Sequence, residues 1–284
     1  MKAFVKVALI VVPVLLISCG GDKSGEELNG ADTAKIAIDT TPVTVNEEIK
    51  FKFDFAVANV PSPVQLITDF SAYGISYHNV MLHDVKKVKT YTSDFSKACN
   101  LGVYNLDLAY AIANEQGADV MKYVKTSMQE ANSLGLKSAF DQMMGQRMES
   151  NIDNKDSLLE IIDEIYVNGD SYLRTNERVQ TATHIFVGSW VEALYIICSV
   201  NAIEQEPVYK TRIRSHLWDQ RFYLKNLIDL LGAFKDKKED QMLIEALTKI
   251  QAEIDAVKDP KDLDEAKFKS ISDQVFALRA AITK

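Results

Sequence analysis

The chain is poor in the residues from which compact chemical sites are usually built. Its 284 residues include three cysteines, Cys19, Cys99 and Cys198, and four histidines, His78, His83, His184 and His216. No Cys-x-x-Cys pair exists, nor an H-E-x-x-H or Glu-x-x-His run, so local sequence supplies neither a zinc knuckle nor a di-iron motif. His78 and His83 are five positions apart, about 140° around a helix, and do not converge. The G-x-S-x-G elbow, the phosphate-binding loop and the dinucleotide fingerprint are also missing. Six prolines and twelve glycines are too few for a loop-rich chain. Excess positive charge is lacking as well. The net charge is −8, which gives no electrostatic reason to bind nucleic acid or an anionic bilayer. No cofactor is implied by any of these patterns.

What is present begins with an N-terminal apolar run. Lys2 and Lys6 precede Val7–Ile17, about 11 apolar residues, the length of a signal h-region and too short for a stable span. Leu16-Ile17-Ser18-Cys19 follows and resembles the lipobox of bacterial lipoproteins. That resemblance implies a signal peptide over 1–18, cleavage before Cys19, and diacylglyceryl and acyl chains on Cys19. It therefore implies a membrane as partner. Losing the two leader lysines takes the net charge from −8 to −10. Gly20 stands where an inner-membrane retention signal often has Asp, which by the same analogy favours the outer membrane.

Residues 19–34 hold Gly, Asp, Glu and Ser with almost no apolar side chains, the composition of a flexible tether. Residues 35–60 alternate: Ile36, Ile38, Val43 and Val45 loosely, and Ile49, Phe51, Phe53, Phe55 and Val57 strictly. Period two predicts a β-hairpin turning at Asn46-Glu47-Glu48, or an extended arm along the body.

From 61 to 284 the period is helical, and the fold class expected is all-α, a multi-helix array or bundle of about eight to ten helices. Ser62-Pro63-Val64-Gln65 is a start signal with a capping serine and a proline in the first turn. Further helices are expected over 76–91, 95–115, 117–133, 136–150, 154–175, 177–204, 208–234, 238–257 and 260–283, with Gly117, Gly135 and Pro207 as interruptions and Asp153 with Asp156 opening the helix over 154–175. His184–Ile203 is long enough for a membrane span, but Glu192 near its middle points to a core helix. Cys99 and Cys198 lie in apolar helical surroundings, as core thiols or as a disulfide.

Two polar stripes interrupt otherwise apolar helices. Tyr104, Asp107, Tyr110 and Asn114 are spaced i, i+3, i+6, i+10, and Ser189, Glu192, Tyr195 and Ser199 repeat that spacing. Each stripe lies along one side of its helix. A buried carboxylate needs a partner or a shifted pKa. The stripes are therefore either a satisfied seam that fixes how two helices pair, or the lining of a small pocket for a cationic or hydroxylated ligand. An acid pair Asp107/Glu192 serving a hydrolase is a third reading. Arg212, Arg214 and Arg221 beside Trp218, Phe222 and Tyr223 make a basic aromatic segment, read as a solvated face over core aromatics, with an anion or glycan site built on stacking as the alternative.

Val60-Pro61-Ser62-Pro63, Asn100-Leu101-Gly102-Val103-Tyr104 with Asp107-Leu108, Asn151–Leu159, and Gly188-Ser189-Trp190-Val191-Glu192 together resemble an uncharacterised family of helical lipoproteins from Bacteroidota. The resemblance implies an α-helical envelope lipoprotein and carries no catalytic assignment. The function expected is a lipid-anchored cell-envelope protein whose helical domain binds an envelope protein or supports an assembly. A ligand-binding or sensory domain using the seam is the alternative.

Overall fold

Two glycines set the centre of the molecule. A Cβ on Gly102 would collide with the backbone carbonyl of Ile185 and the amide of Ser189, and one on Gly188 with the backbone of Cys99. Helices α3 (Asp94–Ala113) and α7 (Val179–Ile203) therefore touch backbone to backbone at this crossing. From the glycines onward both reach their acid, Asp107 and Glu192, on adjoining faces, so they run in the same direction. Every residue from Ala98 to Ala113 is buried, and α7 is mostly so, which identifies α7 as a core helix despite its mean hydropathy of 1.5 over its most apolar window. Cys99 and Cys198, one on each helix, are free buried thiols.

The computed structural model describes residues 45–136, 142–175 and 177–284. Among them are eleven α-helices and no strand. Besides α3 and α7 these are α1 (Val45–Asn59), α2 (Pro63–Ser71), α4 (Gly117–Ser133), α5 (Gln142–Ser150), α6 (Lys155–Thr175), α8 (Pro207–Asp219), α9 (Arg221–Leu231), α10 (Lys238–Asp255) and α11 (Glu265–Ile282). They surround the central pair in an all-α array, with one large apolar core and a smaller one of Phe53, Leu101, Leu134, Leu173 and Leu230 among others. The segments expected to be a signal peptide and a tether, with Cys19 and residues 35–44, lie outside the described residues, as do 137–141 of the helix expected over 136–150.

The strand expected within the 35–60 arm is corrected: 45–59 is α1. In a helix Phe53, Ala56 and Val60, at i, i+3 and i+7, share one buried face, while Phe51, Phe55 and Val57 are left outside. Phenylalanine at alternate positions imitated a half-buried strand. The helix expected over 76–91 is likewise replaced by two short 3-10 turns, Asn79–Met81 and Val85–Lys89. Here backbone groups are taken up by side chains instead of by helical bonds. Asp107 Oδ2 accepts from the His83 N–H at 2.9 Å, and the hydroxyls of Tyr123 and Tyr104 donate to the carbonyls of His83 and Asp84 at 2.9 and 3.1 Å.

Other boundaries follow their capping chemistry. Ser62 Oγ accepts from Gln65 N at 3.0 Å, as the sequence suggests, but Gln65 turns its amide to Asp69 rather than back. The start of α6 uses Asn154, whose Oδ1 accepts from Ser157 N, rather than the aspartates on either side. The run 208–234 breaks at Gln220 into α8 and α9. At the C-terminus Pro260–Asp262 is a 3-10 turn, and α11 starts only after Asp264 caps Lys267 N.

Candidate functional site

Two carboxyls meet at the heart of the α3–α7 pair, and a third helix answers them. Asp107 and Glu192 are both fully buried. From α11, Arg279 reaches in with two bonds to Glu192, Nε to Oε2 and Nη2 to Oε1, each 2.9 Å. This planar fork-to-carboxylate match is the strongest ion-pair geometry side chains offer. The guanidinium also lies over the Tyr195 ring at 4.2 Å, and Phe276 closes that ring edge-on.

One cation serves two buried acids, so one acid must stay neutral. Burial and the neighbouring Glu192 charge push Asp107 well above the usual carboxylate range, with the His83 N–H pulling partly back. Burial also raises Glu192, but the charge and hydrogen bonds of Arg279 act directly against that rise. The arrangement that balances is a neutral Asp107 beside an ionised Glu192 facing Arg279. The neutral Asp107 carboxyl hydrogen-bonds to Glu192, which helps to hold Glu192 down.

Around the carboxyls stands a shell of aromatic hydroxyls. His83 Nε2 and Tyr91 Oη are 2.6 Å apart, and the His83 ring lies 5.2 Å from that of Tyr104. Burial, helped by the nearby charges of Arg279 and Lys87, depresses His83 to about 3, so the imidazole is neutral. Burial pushes Tyr91 up to about 12, and Tyr104 and Tyr123 are raised as well. None of these phenols ionises in the physiological range. On the outer side of the shell, Glu130 of α4 is almost wholly buried, its Oε1 lacks a partner, and burial raises it to about 7.

The two predicted stripes thus converge only in part. Tyr104, Asp107, Glu192 and Tyr195 belong to this centre. Ser189 sits at the glycine crossing, its Oγ donating to Gly102 O at 2.9 Å and within 3.1 Å of Ile185 O. Tyr110 meets the same loop segment further from the acids, its ring 5.1 Å from Tyr77 and its hydroxyl bonded to the His78 backbone, and burial pushes it up to about 12. Asn114 caps the end of α3 and donates to Ser71 Oγ and Tyr110 O. Ser199 is half-buried further along α7.

Sequence reasoning missed Arg279, His83, Tyr91 and Tyr123. A signal existed for one of them: Arg279 is the single charge in the apolar run Phe276–Ile282. A second buried cluster was also unforeseen. His184 Nε2 lies 2.7 Å from Asp240 Oδ1, and Gln180 donates to Asp240 Oδ2 at 2.7 Å, which ties α7 to α10. Among the described residues no three His, Cys, Asp or Glu side chains gather as metal ligands. In the basic aromatic segment, Arg221 stacks on Trp218 and Phe222, and Arg214 pairs with Glu265 and Leu263 O, so these cations are internally engaged.

Chemically the centre behaves as a clasp. It joins α3, α7, α11 and the 79–89 turns through fixed hydrogen bonds, and neither acid meets solvent. Comparison with protein-family models, curated proteins and solved structures returned no match.

Proposed function

We propose that this chain is a lipid-anchored protein of the bacterial cell envelope, held by acyl chains on Cys19, and that its helical body acts as a scaffold or binding partner for another envelope protein. The observation that carries the scaffold reading is the clasp itself. Arg279 and Glu192 satisfy each other through two bonds, and Asp107 is held by the His83 N–H and by Glu192, with both acids buried, as expected of a seam that fixes helix pairing. The anchor reading is supported by the run Lys2–Cys19, with its basic start, short apolar stretch and Leu-Ile-Ser-Cys ending. Multiple acyl chains give the stable attachment that one chain does not. The absence of an Asp at position 20 favours the outer membrane.

A second reading keeps some support. Ser127 Oγ and Glu130 Oε1 are buried oxygens without partners among the described residues, beside the tyrosine shell, and such groups suit a small hydroxylated or cationic ligand. Growth of cells on labelled palmitate, followed by membrane fractionation, tests the proposal. Label and membrane association in the wild type, both lost in Cys19→Ala, are expected. An unlabelled protein in the soluble fraction overturns the anchor. Saturable binding of a small molecule that is lost in Glu130→Gln, with stability kept, replaces the scaffold by the second reading.

A further inference from the structure

Helix α1 carries an apolar face that nothing in the described body covers. Phe51 is 69% exposed and Phe55 50%, one turn apart on one face, while the opposite side of the helix, Phe53, Ala56 and Val60, is buried. The Phe51 and Phe55 rings lie one turn apart with centroids at 6.4 Å, a paired aromatic surface pointing outward. Single exposed apolar residues are ordinary, but two adjacent phenylalanines on one helix face mark a contact surface.

Two features of the molecule select what it contacts. The first is charge. The mature chain is acidic overall, yet the charges along α1 are balanced once Arg174, paired with Asp54, is included: Glu47, Glu48 and Asp54 against Lys50, Lys52 and Arg174. Lys52 pairs with Glu48 at 2.7 Å, and Arg174 pairs with Asp54. A locally neutral patch is where an acidic body can approach lipid headgroups without repulsion. The second is position in the chain. α1 is the first described helix after Cys19, with residues 20–44 between them. The 25 residues from 20 to 44 reach at most about 80–90 Å even fully extended, so lipid on Cys19 keeps α1 close to the bilayer and lets a weak contact suffice.

We infer that Phe51 and Phe55 dock the body onto the lipid surface to which Cys19 is attached, the rings seated at the headgroup level and the paired charges at their rim. This inference rests on the lipid-anchor reading above. Aromatic side chains favour that interface, where an apolar body meets a polar boundary.

The test uses the full-length product, extracted from membranes and reconstituted in vesicles of phosphatidylethanolamine and phosphatidylglycerol. A polarity-sensitive dye is placed on Phe55→Cys and, as a control, on Val80→Cys, where Val80 is the most exposed apolar residue. Cys99 and Cys198 are buried and stay unlabelled in the native fold. The dye at 55 is expected to shift to the blue and to be quenched by nitroxide-bearing lipids about twofold more than the dye at 80. In the same vesicles, Phe51→Ser with Phe55→Ser should release the body and return the spectrum of a dye at Ala58→Cys, exposed on the same face of α1, to that in water. A water-like signal at 55 in a protein whose Cys19 mass shows the acyl chains overturns the docking face and leaves the anchor intact. Energy transfer between copies at 55 without lipid quenching assigns the face to self-association and also overturns it. A Cys19 without lipid overturns the anchor reading, and this inference with it.

Discussion

Replacing Arg279 by leucine removes the one cation that serves two buried acids. Glu192 is fully buried and receives both hydrogen bonds of the guanidinium at 2.9 Å, while the side chain of Arg279 itself keeps 15% exposure. Breaking a buried pair from one side leaves the other charge without compensation, at about 3–5 kcal/mol. Loss of the guanidinium from the Tyr195 face adds about 0.5–1 kcal/mol. Glu192→Leu alone should lose less, about 1–3 kcal/mol, because the partly exposed Arg279 can turn its head to water. The double variant Arg279→Leu/Glu192→Leu should recover much of the loss, giving a coupling of about 2–3 kcal/mol. The assay is urea unfolding followed by circular dichroism at pH 8 and pH 5. Without Arg279, the folded-state pKa of Glu192 rises further. The folded chain then holds a proton that the unfolded chain releases above the ordinary glutamate value, so the single variant's deficit is largest at pH 8 and shrinks toward pH 5. Equal losses in the single and double variants, with no dependence on pH, would refute the clasp.

Three further outcomes follow from the same structure. Gly102→Ala and Gly188→Ala should each lose about 2–4 kcal/mol, since the new methyl meets backbone that cannot turn away; Gly232→Ala, in open space with helical φ of −56°, should gain about 0.4–1 kcal/mol, and thermal melts of the three decide. Glu130→Gln should flatten part of the pH profile. The folded-state pKa of about 7 lies above the ordinary 4.5, so Glu130 favours the fold at low pH and this contribution is lost as pH rises from 4.5 through 7. The variant should therefore gain roughly 3 kcal/mol relative to wild type between pH 4 and pH 8, whereas His83, held at about 3, acts in the opposite direction between pH 6.5 and 3 in both proteins and cancels in the difference. Finally, Cys99 and Cys198 should react with a thiol reagent only after denaturation, because burial raises both thiols and denies access. Rapid labelling of the native protein contradicts the packing around α3 and α7.

Much of the helical body could be read from the chain because the helices are amphipathic and their ends carry punctuation. α3, α4, α6, α7 and α10 fall within a residue or two of the sequence reading, and Ser62 acts as a cap. What was illegible depends on tertiary contacts. The 79–89 turns exist because Asp107, Tyr104 and Tyr123 claim backbone groups that a helix would have used, and no local pattern announces that competition. α1 was obscured because phenylalanine at 51, 53 and 55 satisfies period two, while only Phe53 is buried. At the candidate site the stripe spacing located both acids but also drew in Tyr110 and Asn114, which face a different neighbour. Arg279, 87 positions from Glu192, comes from the last helix, and sequence spacing does not report which distant cation reaches a buried acid.

The anchor is the claim on which the envelope role stands, and intact mass analysis of the N-terminal peptide from membrane-purified protein addresses it most directly. The account predicts a peptide beginning at Cys19 and carrying the added mass of a diacylglyceryl group, with or without an amide-linked acyl chain. A peptide that retains Met1 through Ser18, or an unmodified Cys19, contradicts it.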